Sequence, residues 1–196
     1  MIKSISYNQG EILKWITELY LDGKPFDLDP TYSKGMFYKK TGIQEPLIKS
    51  DIAPQVDDCL EIDVANMPWP DNSIESCIFD PPFMPWMPVK RPPGRMKSRF
   101  SYYTNLTELR AMYLLSIQEI YRILIPTGIL VFKCQDLVDS GKQVWHHIEI
   151  YQDAMEAGFT AEDLFVLLAS SRMNNWKRQL HARKYHCYFW VFRKLK

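Results

Sequence analysis

The stretch Ser76-Cys77-Ile78-Phe79-Asp80-Pro81-Pro82-Phe83 constrains this chain more than any other. Cys77, Ile78 and Phe79 suit a strand buried on both faces, as in a parallel sheet. Pro81 and Pro82 carry no backbone N–H, so no ladder continues past them. Asp80 is thereby left at the carboxyl end of a central strand, the place where open α/β sheets bind their ligands. The two prolines also hold the carbonyls of Asp80 and Pro81 in set directions, and Phe83 follows as a flat apolar plate.

Strands alternate with helices around this stretch. Asn8 caps an expected helix over 8–22, with Ile12, Leu13, Trp15, Ile16 and Leu19 at helical spacing. Short strands follow at 26–29, 47–51 and 59–63, the last two closing on the acids Asp51 and Asp63, ahead of the 76–79 strand. Asn105-Leu106-Thr107-Glu108 has capping-box spacing and opens a second helix, which Pro126-Thr127-Gly128 ends before a strand at 129–132. A third helix is expected over 142–157, stopped by Gly158, and two late strands at 164–168 and 188–192. The alternation predicts a doubly wound α/β sheet. Right-handed crossovers bring the acid-bearing strand ends to one edge.

At 196 residues, 46% of them apolar, the chain is expected to form a single domain over 1–196. No apolar run reaches the roughly 20 residues of a membrane span, and Met1 to Ser6 lack the continuous hydrophobic stretch expected of a secretion signal. Cys59, Cys77, Cys134 and Cys187 are far apart and mostly in apolar runs, so reduced thiols and a cytoplasmic location are expected. His181, His186 and Cys187 lack the paired cluster of a metal site, and none is expected. The net charge of +1 conceals a segregation. Of 24 basic residues, 13 fall in two acid-free segments, 84–105 and 172–196, leaving 11 against 23 acids elsewhere. That distribution points to a polyanion-facing surface. The loop 84–104 is unusually long for a compact domain, and loops of this length are as a rule functional, here as a lid or substrate clamp, or disordered.

Asp80-Pro81-Pro82-Phe83 resembles the Asp-Pro-Pro-Tyr/Phe motif of S-adenosylmethionine-dependent amino-methyltransferases, which methylate exocyclic amino groups of nucleic-acid bases. The resemblance spans about residues 24–194 and includes the wording Asp63 to Ser73 ahead of the motif and Glu119 to Gly128 after it. Small phage-borne DNA methyltransferase-like proteins share the compact layout. The resemblance implies a Rossmann-like methyltransferase fold: a seven-stranded, mostly parallel sheet with a terminal antiparallel strand. Asp29, Pro30, Thr31, Ser33 and Gly35 look like the first cofactor loop, although Ser33 stands where a glycine is usual. Asp51 falls where the family keeps an acid for the cofactor ribose, and Asp63 where an acid reads the cofactor adenine.

In such an enzyme Asp80, Pro81, Pro82 and Phe83 would be the catalytic set. The Asp80 carboxylate and the Pro81 carbonyl would accept from the target amine, while Phe83 stacks on the base. The target would be flipped out or single-stranded already. Lys90, Arg91, Arg95, Lys97 and Arg99 would meet phosphates, and Tyr102, with Trp86, Phe100 and Tyr103, would stack on bases. The activity implied is methylation of adenine in DNA. The alternatives are an RNA base methyltransferase, or a nucleic-acid-binding protein with the same fold and weak turnover. No separate target-recognition domain is visible, so specificity would be low or supplied by a protein partner.

Overall fold

The structure is a computed structural model that describes residues 1–39, 41–85, 103–169 and 181–195. Lys90, Arg91, Arg95, Lys97, Arg99 and Tyr102, the expected strand-contacting residues, lie outside the described residues, as do Trp86 and Phe100.

The elements run β1 (Ile5–Ser6), α1 (Gln9–Tyr20), β2 (Leu28–Asp29), β3 (Ile48–Asp51), β4 (Leu60–Glu61), β5 (Ile74–Phe79) and α2 (Leu106–Ile123). They continue as β6 (Leu124–Cys134), β7 (Leu137–Asp139), β8 (Lys142–Val144), α3 (His146–Ala157), β9 (Phe159–Leu168) and β10 (His186–Lys194). Eight strands form one sheet in the order β1-β9-β10-β6-β5-β2-β3-β4, and β7 and β8 make a separate hairpin. Among the described residues, only β10 runs against its neighbours in this sheet, β6 and β9. All other pairings in the sheet are parallel. The doubly wound, mostly parallel sheet with a terminal antiparallel strand is as expected. The count is eight rather than seven because Ile5 and Ser6 pair with Val166 and Leu167 at the edge.

The strands of the sheet centre alternate between two cores. Ile78 of β5, Val131 of β6 and Phe189 and Val191 of β10 face α1, packing on Ile12, Leu13 and Ile16. Cys77 and Phe79, Leu130 and Phe132, and Phe192 face the other way, onto Leu109, Tyr113, Ile117 and Ile120 of α2 and Ile150 and Ala154 of α3. Period-two burial on both faces is what a central parallel strand requires, each fully buried large side chain contributing about 1.5–3 kcal/mol. Asn8 caps α1 through the Gly10 N–H at 2.8 Å. Asn105 caps α2 through the Glu108 N–H at 2.9 Å, and Glu108 in turn accepts from the Thr104 N–H at 2.8 Å. The capping pair read from the sequence is therefore made, with the return bond one residue earlier than the standard box.

Two elements differ from expectation. Residues 142–144 are the second strand of a hairpin, not the start of a helix, which begins at His146. Ser140 (φ 48°) and Gly141 (φ 78°) turn it with two positive φ angles, the tight geometry that suits twisted strands. Pro126, Thr127 and Gly128 do not separate α2 from β6. The strand starts at Leu124, and these residues bulge out where pairing jumps from Ile74↔Leu124 to Ser76↔Ile129. A bulge absorbs the proline's missing donor.

The parallel pairings place the ends of β2, β3, β4 and β5 on one edge of the sheet. The strand order reverses between β2 and β5, so the crevice above those two ends is the topological switch point.

Candidate active site

The loop after β2 is built on a buried acid. Asp29 is 2% exposed. Its Oδ1 accepts from the Thr31 N–H at 2.8 Å and from the Thr31 hydroxyl at 2.9 Å, and its Oδ2 from the Tyr38 hydroxyl at 2.8 Å. Burial raises the Asp29 carboxyl to about 7, and these three donors only partly oppose it. Burial, reinforced by Asp29, also pushes the Tyr38 hydroxyl well above its ordinary value. The Thr31 hydroxyl oxygen accepts the backbone N–H of Asp80 at 2.9 Å, tying the loop after β2 to the loop after β5.

Ser33 takes φ 53° and Gly35 φ 64°, so the turn has two left-handed residues although only one is glycine. A side chain in this region costs about 1–2 kcal/mol. The Asp51 carboxylate offsets part of that cost by accepting the Ser33 N–H at 2.9 Å, its other oxygen taking the Ala53 N–H at 2.9 Å. Gly35 is required on steric grounds as well, since a Cβ there would run into the Tyr32 hydroxyl. That hydroxyl donates to Glu45 at 2.8 Å. Asp63 lies just past β4 and accepts from the Ala65 N–H at 2.9 Å.

Across the crevice, Phe79 ends β5 and Asp80-Pro81-Pro82 leave the sheet. The buried Tyr113 of α2 donates its hydroxyl to the Pro82 carbonyl at 2.6 Å, anchoring the loop from below. The Pro81 carbonyl has no hydrogen-bond donor among the described residues. Asp80 faces Lys133 of β6, whose Nζ lies 3.1 Å from Asp80 Oδ2 and 3.1 Å from Gln9 Oε1 of α1. The pairing Phe79↔Phe132 places Asp80 and Lys133 side by side at the sheet edge. The rings of Phe37, Phe83 and Phe189 surround the ammonium at 4.8, 5.6 and 5.6 Å from their centroids.

One cavity of about 260 Å³ joins these parts. Of the residues singled out in the sequence, Pro30, Thr31, Ser33, Asp51, Asp63, Asp80, Pro81, Pro82 and Tyr103 line it. Asp29, Gly35 and Phe83 do not: Asp29 lies beneath the loop, and Phe83 lies against Lys133. Ile52 and Val64, the residues after Asp51 and Asp63, add apolar walls, and Met36, Phe37, Gln9 and Lys133 are among the other lining residues. Lys133 and Gln9 were not singled out in the sequence. The available signal was a lone cation closing the apolar run Ile129 to Phe132.

No protein-family model matches the chain, and no curated protein matches it in sequence. Solved structures do. The N-methyltransferase NodS of Bradyrhizobium japonicum, solved with S-adenosylhomocysteine, superposes with a TM-score of 0.55 at 12% identity over 96% of this chain and 89% of its own. The 1,6-didemethyltoxoflavin-N1-methyltransferase of Burkholderia thailandensis gives 0.57 at 12% identity, over 97% and 80%. The (4+2)-cyclase SpnF gives 0.57 at 13% identity, over 95% and 80%. This likeness defines the class of fold, the Rossmann-like fold of S-adenosylmethionine-dependent methyltransferases. A provisionally assigned DNA modification methylase of Thermus thermophilus also matches, with a TM-score of 0.48 at 15% identity over 69% of this chain. The chain spans about half of that protein's length (52%).

Proposed function

We propose that the chain is an S-adenosylmethionine-dependent methyltransferase acting on an exocyclic amino group of a nucleic-acid base, with adenine in DNA as the first substrate. The observation that carries this reading is the cavity at the switch point. It joins Asp80-Pro81-Pro82 to the loop of Pro30, Thr31 and Ser33 and to Asp51 and Asp63.

The lining suits the cofactor. Asp51 and Asp63 offer carboxylate acceptors for hydroxyl and amino donors, and Ile52 and Val64 offer apolar contact for a flat ring. When bound, S-adenosylmethionine supplies an electrophilic methyl group whose carbon–sulfur bond breaks as the amine nitrogen bonds the carbon. The residues of the chain orient that amine. Its lone pair is delocalised into the ring, and two acceptors on its N–H groups turn the nitrogen toward a tetrahedral geometry. The Asp80 carboxylate and the Pro81 carbonyl are those acceptors. Positive charge grows on the nitrogen during attack, and a fixed carboxylate favours it. The Asp80 carboxylate also offers an acceptor for the proton the nitrogen then loses. Thr31, Tyr113 and the two prolines hold these groups still, so much of the rate gain comes from positioning.

The substrate strand reaches the site single-stranded or with the base flipped out. In this reading residues 1–196 act as one domain, and Lys90, Arg91, Arg95, Lys97, Arg99 and Tyr102 contact the strand. That assignment rests on the sequence. The activity is tested by incubating the protein and labelled S-adenosylmethionine with DNA and with RNA, then digesting each to nucleosides for mass analysis. Label in N6-methyladenine from DNA supports the reading. Label in RNA alone moves the substrate to RNA, and label in neither overturns the reading.

A further inference from the structure

The geometry points to Lys133 as a specificity-determining residue: its ammonium donates to the ring nitrogen beside the target amine, while Asp80 accepts from that amine. This rests on the base-methylating reading above and narrows it to substrates with an amidine edge, an amino group next to an unprotonated ring nitrogen.

Lys133 Nζ lines the same cavity as Asp80, 3.1 Å from its Oδ2. Carboxylate and ammonium therefore stand side by side as acceptor and donor on one wall. An amidine edge presents the complementary pair, with N–H on the amino nitrogen and a lone pair on the neighbouring ring nitrogen. In adenine these are N6 and N1, and in cytosine N4 and N3. A flipped-out base presents this Watson–Crick edge to its pocket and is read by hydrogen bonds to it. An aliphatic amine matches the carboxylate but offers nothing to the ammonium.

The lysine is also held for the task. Its side chain is 11% exposed. Gln9 of α1 accepts one of its three N–H groups at 3.1 Å and Asp80 another. Among the described residues no acceptor takes the third. Phe37, Phe83 and Phe189 enclose the ammonium, which restricts its swing to the space between Gln9, Asp80 and the cavity. A charged donor in so dry a position makes a stronger bond to a ring nitrogen than a neutral one does.

The test measures kcat/KM for methyl transfer to single strands carrying one adenine, one 1-deazaadenine or one 7-deazaadenine. Wild-type protein is compared with Lys133→Met and Lys133→Arg. Wild type should lose roughly tenfold or more on 1-deazaadenine and less than about twofold on 7-deazaadenine. Lys133→Met should fall to a similar low rate on adenine and no longer distinguish it from 1-deazaadenine, whereas Lys133→Arg should recover discrimination. If Lys133→Met does not fold, the wild-type penalty and Lys133→Arg decide the matter. Equal use of adenine and 1-deazaadenine by wild type overturns the role of Lys133 and leaves base methylation standing. Undiminished discrimination by Lys133→Met does the same. Transfer to none of the strands by wild type overturns both.

Discussion

The Thr31 hydroxyl accepts the backbone N–H of Asp80 at 2.9 Å and donates its own proton to Asp29 at 2.9 Å. The loop leaving β2 and the loop leaving β5 are thus joined by one side chain, which rests on a buried acid. The position of Asp80 in the crevice depends on that connection.

Replacing Thr31 with Val keeps the shape and removes both bonds. The Asp80 N–H then loses this acceptor and Asp29 loses a donor, at a cost of about 1–3 kcal/mol. Thr31→Val should lower the urea midpoint and reduce kcat by more than it raises the KM for cofactor, and Thr31→Ser should restore both. Unchanged kcat in Thr31→Val would show that the link does not position Asp80.

The buried Asp29 makes stability depend on pH in a definite direction. Its folded-state carboxyl sits near 7 while the unfolded group titrates near its ordinary 3.8. Between those values the folded state binds more protons than the unfolded state, so stability falls as pH rises from about 4 to about 7 and then levels off. The contribution is up to about 4 kcal/mol. Asparagine can still accept from Thr31 and can donate to the Tyr38 hydroxyl, so Asp29→Asn should remove this component. The stability difference between the two proteins, followed by urea unfolding across that window, should favour wild type at the acid end and narrow or reverse near neutrality. A difference that does not vary with pH would contradict the buried-acid account.

Ser33 and Gly35 should respond differently to substitution. Ser33→Gly relieves the left-handed strain but adds unfolded-state freedom of about 0.5–1 kcal/mol, so stability should change little and cofactor affinity should be kept. Gly35→Ala puts a methyl group against the Tyr32 hydroxyl at a positive φ and should disrupt the loop. Its expected signature is cofactor affinity weakened by more than about tenfold, with a destabilisation of about 1–3 kcal/mol. Normal binding by Gly35→Ala would show that the turn does not shape the cavity.

Much of this arrangement was legible in the chain because it is local. Pro81 and Pro82 stop β5 wherever the strand lies, Asn105 and Glu108 mark the start of α2, and the acids at 51 and 63 fall on one edge by the handedness of parallel crossovers. What could not be read is set by partners distant in sequence. Lys133 meets Asp80 only through the register of β5 on β6, and Gln9 joins them only once α1 packs across the sheet. The two residues of β1 are too few to carry a period, and their pairing with β9 decides that they form a strand. The β7–β8 hairpin did carry a signal in Ser140-Gly141. The amphipathic pattern running into α3 masked it.

Calorimetric titration of S-adenosylmethionine into wild-type, Asp80→Ala and Asp63→Ala proteins tests the central claim most directly, that one crevice holds the cofactor at its Asp51 and Asp63 end and the amine at Asp80. Wild type and Asp80→Ala should bind within about threefold of one another, and Asp63→Ala should bind at least about tenfold more weakly, having lost a charged hydrogen-bond acceptor for the cofactor. No heat from the wild type at millimolar cofactor, or a loss of binding confined to Asp80→Ala, would contradict it.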